Sequence, residues 1–404
     1  MENSVKTKSV LQRRIAILAL GTMSMVSLAI SPSYAAIAQA FKASNTMVQM
    51  LTSIANLAAL IAGLMVGRLV SGSMSRKKIV VTAVALICIG GLLPLAIHGS
   101  MGILIVFSAI IGFGQGMVTN MVQILITEEL PEKNRQSAMG QNTTFTNIGA
   151  MVLITLGGVL AAKSWINNYW VFLIPVLVLI IVMICLPSQN IYANQAKDDA
   201  DVDANVDNGK IELNKYSWAI TFLGFLSMLL YNVFSNNISM FVVSHKLGGS
   251  AQAGILSMIG LLGGLLAGLI VGKLAKILPK YTISISFLLM ALSYLIIGWS
   301  NSMSLVIVGS FLSGAALSVC MAQYPFLISI SIKPSSLGMA FGVYNGGLAI
   351  GGFLSPLIIN PLTNALQNTL HMNIFLVSGV LSVIITVLIV LVQFQARLLK
   401  QNLA

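Results

Sequence analysis

Residues 67–78, "GRLVSGSMSRKK", interrupt a long apolar stretch with two glycines, three serines and four cations. A second basic turn, "GKLAKILPKY" at residues 272–281, follows another long apolar segment. About twenty apolar residues are enough for one helix to cross the hydrocarbon core of a bilayer, and basic loops are typical of its cytoplasmic side. The two stretches therefore predict membrane-spanning helices joined by short basic turns.

The whole chain has the composition of a membrane protein. Of its 404 residues, 57% are hydrophobic and only 8% are charged, which leaves too little polar surface to cover a soluble globule of this size. Backbone polar groups in lipid must be satisfied internally, so long apolar segments without two-residue alternation favour helices over barrel strands. We expect an all-α bundle with twelve transmembrane helices, at about 15–38, 46–66, 79–97, 102–126, 139–162, 168–186, 218–243, 253–271, 282–300, 304–328, 338–359 and 372–393.

The net charge of +12 is explained by where the cations lie along the chain. If the amino terminus is cytoplasmic, only Lys42, Lys163 and Lys246 fall on the outer side, which leaves 19 of the 22 Lys and Arg residues inside. This bias predicts a multi-pass protein of the cytoplasmic membrane with both termini in the cytoplasm. It makes membrane lipid, and not nucleic acid, the expected partner of the basic charge. A cleaved signal peptide ending near "SPSYAAIAQA" is the alternative for the first span, but its removal would break this charge pattern. We expect Pro32 instead to kink or end part of the first membrane helix.

A polar linker divides the chain into two halves. Residues 187–216 carry six acidic side chains and cannot bury enough apolar surface to fold alone, so they predict a cytoplasmic linker. The expected domains are an amino-terminal six-helix bundle at 1–186 and a carboxy-terminal six-helix bundle at 217–404.

The halves also repeat each other in sequence. A stripe of small residues four apart, from Ala55 to Gly67, has a counterpart from Gly260 to Gly272 in the second half. Gly149 is matched in the same way by Gly351. Small residues at this spacing allow two helix backbones to approach closely in lipid, and two homologous six-helix halves are typical of secondary transporters.

The chain resembles the major facilitator superfamily over all twelve spans. The opening stretch occupies the place of the family motif G-x-L-A-D-R-x-G-R-[KR], although Ser71 stands where the motif has Asp. The stretch "EELPEKNRQSAMG", residues 128–140, matches the equivalent family motif after the fourth helix more closely. The resemblance implies a twelve-helix fold in two pseudo-symmetric bundles, with a cytoplasmic gate and loop motif at Gly67, Arg68, Arg76, Lys77, Glu128, Arg135, Gly272 and Lys273. Because the motif Asp is absent, we expect any latch to pair Arg76 or Arg68 with Glu128 or Glu129.

The chemistry available inside the membrane is neutral and polar. All ten acidic residues fall outside the predicted spans, and every Lys and Arg is predicted at a boundary. In the seventh span Asn232, Ser235, Asn236 and Ser239 follow one helical face, and the first span predicts a second stripe through Ser24, Ser27, Ser31 and Tyr34. The resemblance implies that helices one, four, seven and ten line a substrate cavity. We expect its lining to include Ser27, Tyr34, Asn56, Gln115, Thr119, Asn147, Tyr231, Asn232, Asn236, Gln323, Tyr344 and Asn345.

These observations favour a secondary transporter that moves a small neutral or amphipathic organic solute by alternating access, in a direction the sequence does not decide. A proton-coupled multidrug or metabolite exporter is the alternative, and it would require a coupling proton. Against it, Ser108 stands where such exporters of the family carry Arg. The polar residues could instead be interhelical hydrogen-bonding glue.

Other classes fit less well. Three scattered histidines without an intramembrane acid cannot form a catalytic pair or a metal site, so we expect neither an enzyme nor a cofactor. The histidines are expected at outer helix ends, where they cap carbonyl groups or relay protons. The three cysteines are expected to be small core residues, and the protein is expected to be a monomer.

Overall fold

The fold is all-helical, as the apolar segments predict. A computed structural model describes residues 2–71, 74–130, 132–186, 213–332 and 337–401. Within these ranges twelve segments are long and apolar enough to cross a membrane, which confirms the predicted number. They are Val10–Phe41, Asn45–Val66, Arg76–Leu95, Met101–Ile126, Thr144–Ala161, Trp165–Cys185, Lys215–Ser244, Ser250–Ile277, Thr282–Trp299, Met303–Ile328, Ala340–Leu370 and Ile374–Leu399.

The chain divides into two compact units. Unit 1 comprises Met1–Ala43 and Met50–Val206, and unit 2 comprises Ser44–Gln49 and Asp207–Ala404. The second span therefore contributes its first residues to unit 2. The predicted linker at 187–216 lies almost wholly outside the described residues, so its boundaries stay a prediction.

Unit 1 holds most of the first seven α-helices. They are α1 (Glu2–Gly21), α2 (Tyr34–Phe41), α3 (Asn45–Ser71), α4 (Arg76–Leu92), α5 (Met101–Glu129), α6 (Glu132–Ala161) and α7 (Leu173–Cys185). Three 3-10 segments join them, at Val26–Ser33, Leu93–Leu95 and Trp165–Phe172.

Unit 2 holds seven further helices. They are α8 (Lys215–Ser244), α9 (Ser250–Ile277), α10 (Thr282–Trp299), α11 (Met303–Ser331), α12 (Leu337–Leu370), α13 (Ile374–Val392) and the short α14 (Phe394–Gln401). In this unit α9 packs on α11, α8 on α12, and α10 on both α11 and α13.

The first span is broken around Pro32, as the sequence predicts. After α1 the chain turns at 22–25 and continues as a 3-10 helix that contains Pro32. Proline cannot donate a backbone hydrogen bond and its ring clashes with the preceding turn, so a helix kinks or breaks there. The predicted stripe therefore does not lie along one continuous α-helix.

Close helix packing occurs at the small-residue stripes in both units. A Cβ built on Gly112 of α5 would lie 2.1 Å from the carbonyl oxygen of Ala55 in α3. In unit 2 a Cβ on Gly314 of α11 would lie 1.6 Å from the carbonyl oxygen of Gly260 in α9. Gly314 stands 202 residues after Gly112, so the two helix pairs occupy corresponding places in the repeat.

Gly149 and Gly351 show the same correspondence. A Cβ on Gly149 would lie 2.4 Å from the carbonyl oxygen of Thr22, and one on Gly351 would lie 2.3 Å from that of Phe225. At these four positions in the two units, only glycine permits the observed distance between backbones.

The outer surface of the helices is strongly apolar. Ile184, Leu269, Trp299 and Leu391 each expose between 71% and 75% of their side chains. Large exposed apolar areas on a soluble monomer are unusual, whereas lipid-facing helices present them throughout.

Candidate functional site

The predicted polar face of the seventh span lies on the continuous helix α8. Asn232, Ser235, Asn236 and Ser239 are all buried. The side-chain Nδ2 of Asn232 donates to the carbonyl oxygen of Met228 at 2.8 Å, one turn earlier. The Oδ1 atom of Asn236 is buried and, within the described part of the chain, accepts no hydrogen bond. An unsatisfied buried acceptor is costly, so this oxygen marks a place on α8 where a hydrogen-bond donor would be stabilising.

An amide cluster lies beside this face within unit 2. The Nε2 of Gln49 donates to Oδ1 of Asn237 at 2.7 Å, and it lies 3.5 Å from the backbone oxygen of Asn236. Asn360 of α12 donates to Oε1 of Gln49 and to Oγ1 of Thr46, both at 2.9 Å. The sequence analysis missed Gln49, Asn237 and Asn360 as site residues. Their signal was present, because each is an amide within an otherwise apolar span.

Tyr344, a predicted cavity residue, packs against Tyr324 within unit 2. The rings of Tyr324 and Tyr344 meet edge to face, with centroids 6.0 Å apart. The hydroxyl of Tyr324 lies 2.6 Å from Oγ of Ser227 and 3.3 Å from Sγ of Cys320. Tyr344 donates to Sδ of Met321 at 3.8 Å, a weaker contact. Tyr324 and Tyr344 expose 0% and 3% of their side chains and belong to the hydrophobic core of unit 2, so the pair has a packing role in this structure.

In unit 1, two predicted cavity residues stabilise the broken first span. The backbone N–H of Ser27 donates to Oε1 of Gln115 at 2.8 Å. This side-chain acceptor replaces the carbonyl that a continuous α-helix would supply. The hydroxyl of Tyr34 is buried and shares a hydrogen bond with the hydroxyl of Thr52. Interrupted membrane helices often line substrate sites, because their free backbone groups can meet a ligand.

The other predicted cavity residues differ in how far they are buried. In unit 1, Asn56 and Asn147 are half-buried, and Thr119 is exposed and donates to the carbonyl oxygen of Gln115 at 2.9 Å. In unit 2, Gln323 is buried, Tyr231 is half-buried and Asn345 is exposed.

The predicted loop motif is described only in part. Nη1 of Arg76 donates to the carbonyl oxygen of Val70 at 2.6 Å, and Nζ of Lys77 donates to that of Met183 at 2.7 Å. Both cations thus also satisfy carbonyl groups at helix ends. The side chains of four predicted gate residues lie outside the described part of the chain, so the latch stays a prediction; they are Gly67, Arg68, Glu128 and Arg135.

At the second copy of the motif, Gly272 does not make the close helix contact that the small-residue stripe predicts. Among the described residues, no atom from another helix lies within 4 Å of the position that a Cβ of Gly272 would take, and Lys273 is exposed. The reason is that the tight contact of α9 is made nearer its middle, where Gly260 and Gly263 meet α11.

Arg13 lies near the boundary of a span, as every Lys and Arg was expected to, but it is buried. Arg13 exposes only 3% of its side chain and lies inside the first candidate span. Its neighbour Arg14 donates through Nε to Oε1 of Gln141 in α6 at 3.0 Å. The span begins earlier than predicted, at Val10 instead of 15, and this brings both arginines onto the helix.

The histidines and cysteines take structural positions. Nδ1 of His98 lies 2.9 Å from the carbonyl oxygen of Pro94, and Nδ1 of His245 lies 3.0 Å from that of Phe241, as expected for capping. Cys88 and Cys320 are buried and unbridged, and Cys185 is half-buried. Among the described residues no group of three or more His, Cys, Asp or Glu side chains could hold a metal ion.

Comparison with known proteins supports the architecture. The structure superposes on the nucleoside transporter NupG with a TM-score of 0.74, 13% identity, and 96% and 99% of the two chains covered. It superposes on the inward-open xylose transporter XylE of E. coli with a TM-score of 0.69, 17% identity, and 93% and 94% covered. These likenesses establish the fold alone.

Two curated relatives match in sequence. The 3-(3-hydroxy-phenyl)propionate transporter of Escherichia coli (strain K12) is 24% identical over 79% of each chain. YwtG of Bacillus subtilis (strain 168), assigned to metabolite transport, is 26% identical, but the match covers only 32% of this chain and 29% of that protein. The family model of the Major Facilitator Superfamily matches residues 15–205 and 220–402. The chain therefore belongs to the Major Facilitator Superfamily, a family of membrane transporters and not of enzymes.

Proposed function

We propose that this protein moves a small neutral or amphipathic organic solute across the cytoplasmic membrane by alternating access. The observation that carries the proposal is the buried polar face of α8, and above all Oδ1 of Asn236, a buried acceptor with no partner in the described residues. A solute with a hydroxyl or N–H donor would satisfy it.

The charges within the spans support this solute class. No Asp or Glu occurs in any of the twelve candidate spans, so a dication would find no carboxylate there. Of the cations, Arg13 is buried, but it lies close to the beginning of its span. A dianion would need paired Arg or Lys side chains deep in the membrane.

The E. coli relative supports an aromatic, amphipathic substrate, since the compound in its name combines a phenol ring with a carboxylate. For our protein we propose the same amphipathic character without a requirement for the negative charge. The matched probes are therefore 3-(3-hydroxyphenyl)propionate and its uncharged amide.

The membrane orientation is part of the proposal. The bias of Lys and Arg residues supports cytoplasmic termini. We also propose that Asn56, Asn147 and Asn345, which belong to the predicted cavity lining, contact the solute. We propose that the protein works as a monomer, with no cofactor.

The experiment compares solute pools in cells that produce the wild type, Asn236→Ala or Asn301→Ala. Asn301 is an exposed loop residue of the same unit and serves as the matched control. Mass spectrometry of cells and medium, with both probes added, should show a redistribution of neutral or singly charged solutes in wild-type and Asn301→Ala cells. Asn236→Ala should weaken it about tenfold, because a charge-free hydrogen bond to a buried acceptor is worth about 1.4 kcal/mol. Redistribution restricted to doubly charged solutes would refute the proposal.

A further inference from the structure

A small cavity opens at one end of unit 2, away from the polar face of α8. It encloses about 100 Å³ and is lined by Lys280, Tyr281, Ile389, Val390, Gln393 and Ala396. Lys280 and Tyr281 come from the turn between α9 and α10, and the other four come from the end of α13 and the start of α14.

A buried hydrogen bond next to the lining residues joins the two helices that carry them. Oε1 of Gln395, a residue that exposes only 3% of its side chain, accepts a hydrogen bond from the backbone N–H of Ile283 at 3.1 Å. This bond ties the start of α14 to the start of α10. Gln393 takes a left-handed backbone conformation with φ of 49° and turns the chain between α13 and α14.

The walls combine one cation with apolar surface. Ile389 and Ala396 form a buried apolar side, while Lys280 and the half-exposed ring of Tyr281 stand at the open side. Immediately outside, Ile277 exposes 74% of its side chain and Leu391 exposes 71%. A ligand for this cavity needs an anionic head beside the lysine and apolar chains over the neighbouring surface.

The surrounding charge has the same sign throughout. Lys273, Lys276, Lys280 and Arg397 are all exposed near these helix ends. From Leu213 to Ala404 the chain contains no Asp or Glu, so this stretch supplies no side-chain carboxylate to balance them. Cations at the end of apolar spans lie at headgroup level, where anionic lipid is the available counterion.

We propose that this cavity is a binding site for the headgroup of an anionic phospholipid. Lys280 contacts the phosphate, the hydroxyl of Tyr281 and the amide of Gln393 offer hydrogen bonds to the polar head, and the acyl chains cover Ile277 and Leu391. The site is independent of the transported solute, and it fixes this end of unit 2 in the leaflet that holds it.

The test uses the full-length protein purified in a neutral detergent, with palmitoyl-oleoyl phosphatidylglycerol as the anionic lipid and palmitoyl-oleoyl phosphatidylcholine as the zwitterionic one. Binding is measured by native mass spectrometry for the wild type, Lys280→Gln, Lys280→Arg and Lys163→Gln. Lys163 is an exposed lysine of unit 1 and controls for the loss of one charge.

Phosphatidylglycerol should bind the wild type more tightly than phosphatidylcholine. Lys280→Gln should weaken it about fivefold, the equivalent of about 1 kcal/mol, while Lys280→Arg and Lys163→Gln should retain wild-type affinity. Millimolar inorganic phosphate should not displace the lipid. Equal affinity of Lys280→Gln and wild type, an equal loss in Lys163→Gln, no preference between the lipids, or displacement by free phosphate would each overturn the proposal.

A second measurement needs no variant. A phosphatidylglycerol carrying a photoreactive group near its head should cross-link wild-type protein within residues 280–281 or 389–396. Cross-links confined to other parts of the chain would also overturn the proposal.

Discussion

Replacing Gly112 by Ala should separate α3 from α5. The added Cβ would lie 2.1 Å from the carbonyl oxygen of Ala55, about 0.9 Å short of the 3.0 Å that real Cβ atoms require. The obstacle is backbone, so the helices must move apart, and a gap of about 0.5–1 Å forfeits a quarter to a half of each dispersion contact along the seam. Overpacking of this kind costs about 1–3 kcal/mol.

The matched control is Gly346→Ala. Gly346 also lies inside a helix, but in the described part of the chain no atom from another helix lies within 4 Å of its Cβ position, so this variant receives the same gain in helix propensity without the clash. Unfolding in detergent can be followed with a maleimide dye that becomes fluorescent when buried Cys88 and Cys320 are exposed. We expect Gly112→Ala to melt roughly 2–12 °C below the control, as a domain of about 200 residues loses about 2–4 °C per kcal/mol. Equal melting temperatures would show that the seam is not closely packed.

Two further predictions concern hydrogen bonding and orientation. Gln49→Ala should lower the melting temperature more than Gln39→Ala, which changes an exposed residue. The reason is that Gln49→Ala leaves the buried amides of its cluster unpaired, at a cost of about 1–2 kcal/mol. Equal melting temperatures would show that the cluster does not stabilise the protein. A cysteine in place of Lys163 should react with a membrane-impermeant maleimide in intact cells, whereas one in place of Lys78 should react only after permeabilisation. Labelling of the Lys78 position, and not of the Lys163 position, in intact cells would contradict cytoplasmic termini.

The number of spans and the repeat could be predicted because lipid imposes strict rules on sequence. An apolar segment must be long enough to cross the bilayer, so twelve such segments required twelve helices. Close backbone approach requires small side chains, so the stripes at Ala55 and Gly260 indicated where α3 and α9 pack.

The details of the candidate site could be predicted only in part. The polar face of α8 follows from regular helical spacing, and the structure places it on one buried face. The break in the first span is predictable from Pro32, but the acceptor for Ser27 comes from Gln115, 88 positions later, and such a distant contact leaves no local pattern. The burial of Arg13 was missed for a similar reason, since a cation next to an apolar segment usually remains at the surface.

The measurement that tests the central claim most directly is the accumulation of ethidium and of the two phenylpropionate probes in cells with and without the protein, each with and without a protonophore. In our account no carboxylate within the membrane carries a proton. It predicts that ethidium accumulation is unchanged and that the redistribution of the phenylpropionate probes persists when the proton gradient is removed. Lower ethidium accumulation that the protonophore abolishes would contradict it and would identify a proton-driven exporter.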